Sequence, residues 1–121
     1  MIARTFDTNL INSYIAKDPA FFKVKTPESY PMFYFLHAVD VGMLVGVMKG
    51  KEMWMHACCK KRGRAAVTAA KEVIDWVFRN TAATKIKTRA DKTKRHLLIY
   101  NALILNRCGE DEKFAYYEVS K

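Results

Sequence analysis

The densest chemistry in this sequence is a turn of four cations around one glycine, Lys60-Lys61-Arg62-Gly63-Arg64, followed by the small residues Ala65 and Ala66. An apolar run ends just before it at Cys58-Cys59, and a helical pattern starts just after it, at about Ala65. The first turn of a helix presents amide N–H groups that have no carbonyl partner, together with the positive end of the helix dipole. A phosphate group binds such a terminus directly. Gly63 has no Cβ, so an anion can come close to the backbone. Lys60, Lys61, Arg62 and Arg64 add positive potential around the same point.

The elements that must hold this turn are legible from periodicity. Asn9 to Ala16 reads as a short helix with Asp7 or Thr8 as its cap, ended by Asp18-Pro19. Pro27 and Pro31 keep Lys25 to Met32 irregular or edge-like. Phe33 to Val39, Met43 to Met48 and Glu52 to Cys59 read as three strands joined by turns at Asp40-Val41-Gly42 and Lys49-Gly50-Lys51. The third is apolar on both faces, which predicts a central place in the sheet. Ala65 to Arg79 carries a stripe of Ala66, Ala70, Val73 and Val77, with Ile74 and Phe78 beside it, and predicts the main helix. Lys85 to Arg89 reads as a half-exposed strand, Lys94 to Arg107 as a helix stopped by Gly109, and Phe114 to Val119 as the closing strand. A strand–helix–strand crossover makes Glu52–Cys59 and Lys85–Arg89 parallel. The expected class is α+β: a mixed, mostly antiparallel central sheet with helices on both faces and one parallel pair.

Length and charge narrow the function. The 121 residues predict one domain, 1–121, with enough apolar content for a single core. The net charge is +9, and residues 49–95 alone carry fourteen Lys or Arg against four Asp or Glu. Charge concentrated in this way predicts an anionic partner. No run reaches the length of a membrane span, and the first residues are not a signal peptide. Three cysteines, two of them adjacent, make neither a disulfide framework nor a zinc spacing, and predict reduced, buried thiols in a cytoplasmic protein. The nucleotide-binding loop of NTPases is absent from the sequence.

Lys60-Lys61-Arg62-Gly63-Arg64-Ala65 resembles the Gln/Arg-x-x-Gly-x-Gly/Ala motif of the GNAT acetyltransferases, with Lys in first position. The order of strands and helices around it is similar to that family over nearly the whole chain. The run from Arg62 through Phe78 is similar to compact GNAT-like proteins encoded by bacteriophages. The resemblance implies acetyl-CoA as cosubstrate, with its pyrophosphate on Lys60 to Ala66 and its pantetheine arm along the backbone of Ala57, Cys58 and Cys59. It implies an amine acceptor, which in a phage setting would be a host protein or tRNA. Family members use a tyrosine of the last helix to protonate the leaving thiolate. Tyr100 matches that position when counted from the helix start, and Leu105 when counted back from Gly109. Glu52 and His56, on the central strand, are the candidate bases.

One departure from the family pattern stands out. Glu110-Asp111-Glu112-Lys113 leads from Gly109 straight into the closing strand, one strand fewer than the family has. That predicts an incomplete acceptor wall, and keeps open a catalytically degenerate GNAT-fold binding protein. A third reading rests on Lys85 to His96, where seven of twelve residues are Lys, Arg or His: a basic domain that contacts nucleic acid through phosphates.

Overall fold

The structure is a computed structural model and describes residues 2–15 and 33–121. The expectations for Lys25 to Met32, and for the end of the first helix at Ala16, lie outside the described residues. The elements in chain order are β1 (Ile2–Arg4), α1 (Thr8–Ile15), β2 (Phe33–Ala38), β3 (Gly42–Lys49), β4 (Glu52–Cys59), α2 (Arg64–Asn80), β5 (Lys85–Asp91), α3 (Arg95–Ile104), β6 (Asn106–Glu110) and β7 (Phe114–Ser120). The seven strands form one sheet in the order β1-β2-β3-β4-β5-β7-β6. Every pairing is antiparallel except β4–β5. β4 is central, as its two apolar faces predict.

Helices cover both faces. On one face, Ala69, Val73 and Val77 of α2 are buried against Leu36, Ala38, Leu44, Met53 and Ile86. α3 packs beside α2 over Ala90, Ala115 and Tyr117. On the other face, Ile11 and Ile15 of α1 pack against Phe35, Met43 and Val45. Asp7 caps α1: its Oδ1 accepts the Leu10 amide proton at 3.1 Å. The buried stripe of α2 differs from expectation at its start. Ala69 is the buried alanine, while Ala66 and Ala70 are only half-buried.

Three expectations are corrected. β1 was not foreseen, because three residues are too few to show a period; it pairs with β2 at Ile2–Ala38, Ala3–His37 and Arg4–Leu36. The last helix stops at Ile104, not Arg107, and Gly109 lies in β6 beside a register shift between Arg107 and Gly109. The strand thought missing is therefore present, and hydrogen-bonds to β7. All five residues of β6 are exposed, so it carries no apolar alternation to announce it. Finally, the cysteines are free but not buried: Cys58 is half-buried, Cys59 and Cys108 exposed. Cys59 stands at the end of its strand and Cys108 on the outermost one. Among the described residues, no helix is long and apolar enough to cross a membrane.

Candidate functional site

The parallel β4–β5 ladder has only three register pairs, Glu52–Lys85, Met53–Ile86 and Trp54–Lys87. Past them β4 continues to Cys59 against β3, whereas β5 continues to Asp91 against β7. The strands part, and the sheet opens as a wedge. The Thr88 hydroxyl donates to the Met55 carbonyl at 2.8 Å and marks the apex. Because the strands are parallel, their C-terminal ends lie together, and α2 and α3 both begin there. The basic turn after β4 and the Lys92 to Arg95 turn after β5 thus flank one opening. Crevices outside the carboxyl ends of parallel strands are the usual ligand sites of such sheets.

On the α2–α3 side the wedge is a cleft of about 320 Å³, bounded by Ala57, Cys59, Lys61, Arg62, Ala66 and Tyr100 among others. It runs inward into a smaller volume of about 80 Å³ that reaches Met55, His56 and Thr88. Leu44, Ala57, Ala70, Asn101 and Ile104 line both parts. The half-burial of Ala66 and Ala70 now has a reason: they form the cleft wall, and larger residues there would fill it. Gly42 fixes the far side of β4. A Cβ there would stand 2.7 Å from the Cys58 carbonyl oxygen and from Cys59 Cα, so β3 and the end of β4 approach too closely for any side chain.

The turn itself is built for an exposed helix start. Gly63 is the N-cap of α2, at φ 72° and ψ −141°, backbone that only glycine adopts readily. Its cap carries no side-chain hydrogen bond. The amides of Gly63 to Ala66 have no carbonyl a turn earlier to bind. One of them is engaged: the Gly63 N–H donates to the Tyr100 hydroxyl oxygen at 2.7 Å. The amides of Lys60 and Lys61 are used elsewhere, both donating to the Val41 carbonyl.

The expected site residues divide into groups. Ala57, Cys58, Cys59, Lys61, Arg62 and Ala66 line the outer cleft, with Gly63 at its rim. Lys60 turns to the α1 side, its Nζ 4.2 Å from the centre of the Tyr14 ring. Arg64 and Ala65 face a separate surface hollow beside Val39 and Thr68. His56 reaches the inner cleft from the opposite face of β4. Glu52 is not brought to this region. It lies at the other end of β4, where its carboxylate is 3.5 Å from Lys87 Nζ. Tyr100 is in the cleft but at its outer end, held by the α2 N-terminus. His56 is about 13 Å back along the strand from Lys60. Leu105, the other position that counting offered, is the buried apolar C-cap of α3 and has no proton to give. Although Cys59 is exposed as a residue, its sulfur lies against Gly42 of β3, and this local desolvation pushes the thiol up.

Sequence reading missed a second cleft, of about 400 Å³, on the α1 side of the sheet. Trp54, His56, Arg89 and Tyr116 line it, with Phe33, Val45 and Lys49. Met55 and His56 border this cleft and the inner one alike, so the two meet across β4. Its residues come from five strands, and only the register reveals that they share a face. Asp111 Oδ2 accepts the Tyr116 hydroxyl at 2.6 Å and pushes that phenol up, leaving Tyr116 a neutral hydroxyl.

No protein-family profile matches the chain, and no curated protein matches it in sequence. Solved structures do match in fold. The Campylobacter jejuni N-acetyltransferase PseH, in complex with acetyl coenzyme A, aligns with a TM-score of 0.73 at 14% identity, over 100% of this chain and 99% of that one. The ribosomal-protein-S5-alanine acetyltransferase of Vibrio fischeri aligns at 0.69 and 12% identity, over 98% and 91%. A Bacillus subtilis acetyltransferase in complex with CoA aligns at 0.72 and 12% identity, over 99% and 97%. The chain therefore has a GNAT-like fold, with its parallel pair at β4–β5.

Proposed function

We propose that this chain acts as a single-domain N-acyltransferase that takes an acetyl group from acetyl-CoA to an amine. The observation that carries the proposal is the wedge: β4 and β5 part after three register pairs, and the gap leads from the cationic α2 N-terminus to His56. The fold shared with acetyltransferases solved with acetyl-CoA or CoA supports it. The residues present suit the group. Lys61, Arg62 and the amides of Arg64 to Ala66 would hold the diphosphate. The small side chains of Ala57, Ala66 and Ala70 leave width for the pantetheine arm.

When bound, acetyl-CoA supplies the acyl group already activated as a thioester. His56 sits where the two clefts meet, and would accept the proton that the attacking amine loses as the new C–N bond replaces the thioester C–S bond and CoA leaves as the thiol. Glu52 takes no part in this proposal, because it lies at the far end of β4. Tyr100 belongs to the phosphate end. A phosphate oxygen would replace its phenol oxygen on the Gly63 N–H. Tyr100→Phe is accordingly expected to alter the acetyl-CoA dissociation constant while leaving kcat within about twofold. A tenfold loss of kcat at unchanged affinity would instead place the hydroxyl at the thiolate.

Calorimetric titration with acetyl-CoA tests the whole reading. One site per chain, with an affinity that weakens as salt rises, is expected from the cationic mouth. The degenerate-binding reading drew its support from an absent strand, and β6 removes that support. No binding of acetyl-CoA at millimolar concentration would overturn the proposal.

A further inference from the structure

The cleft on the α1 side of the sheet has a charge that selects its occupant. Among the described residues its cations are Lys49 and Arg89, both exposed, and no carboxylate is among those that line it. The acids nearby are occupied. Asp111 accepts the Tyr116 hydroxyl and the amides of Lys113 and Phe114. Glu52 is paired with Lys87, and Glu118 with Lys85 at 2.9 Å. Lys49 and Arg89 are held instead by aromatic faces. Lys49 Nζ lies 5.3 Å from the centre of the Trp54 ring, and Arg89 Cζ 4.3 Å from that of Phe114. Such contacts orient a cation without neutralising it, so both remain able to pair with an anion. Arg89 also lies beside the Tyr116 phenol, whose proton is given to Asp111, so the guanidinium is the anion-binding group at that point.

We infer that the acceptor is a small molecule carrying both an amine and an anionic group, a phosphate or a carboxylate, with the anion on Arg89 and Lys49 and the amine at His56. The inference rests on the acyltransferase reading. A volume of about 400 Å³ suits a small molecule. A free polyamine would meet Lys49 and Arg89, neither of which is in an ion pair among the described residues, and the same field that repels it attracts an anion.

The test compares four amines as acceptors: 2-aminoethyl phosphate, β-alanine, ethanolamine and spermidine, followed by release of the CoA thiol. The first two are expected to exceed ethanolamine at least tenfold in kcat/KM, with spermidine poorest. Their ratio identifies the anion as phosphate or carboxylate. Arg89→Glu is expected to cost the anionic acceptors at least tenfold and to raise spermidine above them. Acetyl-CoA affinity should be unchanged, since Arg89 lies outside the cofactor cleft. Equal rates for all four, or a preference for spermidine, would overturn the anionic assignment and leave the acyltransferase reading intact. Where no amine is turned over, NMR titration decides. Shifts of the Trp54 indole and Gly46 amide signals with 2-aminoethyl phosphate or β-alanine, absent with spermidine, support the anion site even if acetyl-CoA fails to bind; their absence overturns it.

Discussion

Gly63→Glu is expected to weaken acetyl-CoA binding at least about a thousandfold, a change of about 4 kcal/mol. The substitution sets a carboxylate at the N-terminus of α2, where the diphosphate is proposed to lie, and two anions then compete for the same amides. The fold responds differently. An acid near a helix N-terminus favours the dipole by a few tenths to about 1 kcal/mol. Against that, a side chain at φ 72°, ψ −141° is strained by roughly 1–3 kcal/mol. Gly63→Ala separates the two effects. Nothing lies within 4 Å of the Cβ it would add, so it carries the strain without the charge or any blockage. Its melting temperature should fall, while its affinity for acetyl-CoA stays within about tenfold of the parent. Should the glutamate variant bind as well as the alanine variant, no phosphate sits at this turn.

His56→Gln is expected to lower kcat by about a hundredfold or more, the usual effect of removing a general base. The acetyl-CoA dissociation constant should stay within about threefold, because the cations and amides that hold the phosphates are at the other end of the cleft. The companion variant is Glu52→Gln. Its carboxylate forms a partly exposed pair with Lys87, of a kind worth at most about 1 kcal/mol. Its kcat should change less than threefold. The reverse ranking, with Glu52→Gln inactive and His56→Gln active, would move the base to the far end of β4 and remove the reason for placing the reaction where the two clefts meet.

These predictions draw on sequence and structure in different proportions. The turn proposed to seat the phosphate was legible early as a local structure. A strand, a basic glycine turn and an amphipathic helix are local features, and β4 and α2 fall within one residue of where periodicity places them. The wall of the cleft proposed for acetyl-CoA was legible only in part. Ala57, Cys59, Lys61, Arg62 and Ala66 face the cleft, whereas Lys60, Arg64 and Ala65 do not. A turn reverses direction within a few residues, so neighbours in sequence point to different surfaces. Tyr100 matched a position by counting, yet counting cannot show that its hydroxyl ends on the Gly63 amide.

What the amino-acid order determined by itself was the set of local elements, the central place of β4, and a helix start capped by glycine inside the one strongly basic stretch. Each follows from side-chain period, backbone freedom and charge over short spans of chain. The tertiary structure alone decided where β4 and β5 part, that Asn106–Glu110 closes the sheet as a strand, and that Trp54, His56, Arg89 and Tyr116 share one cleft. Those outcomes depend on strand register. Register is settled by pairing and packing between segments far apart in the chain, which no local pattern contains.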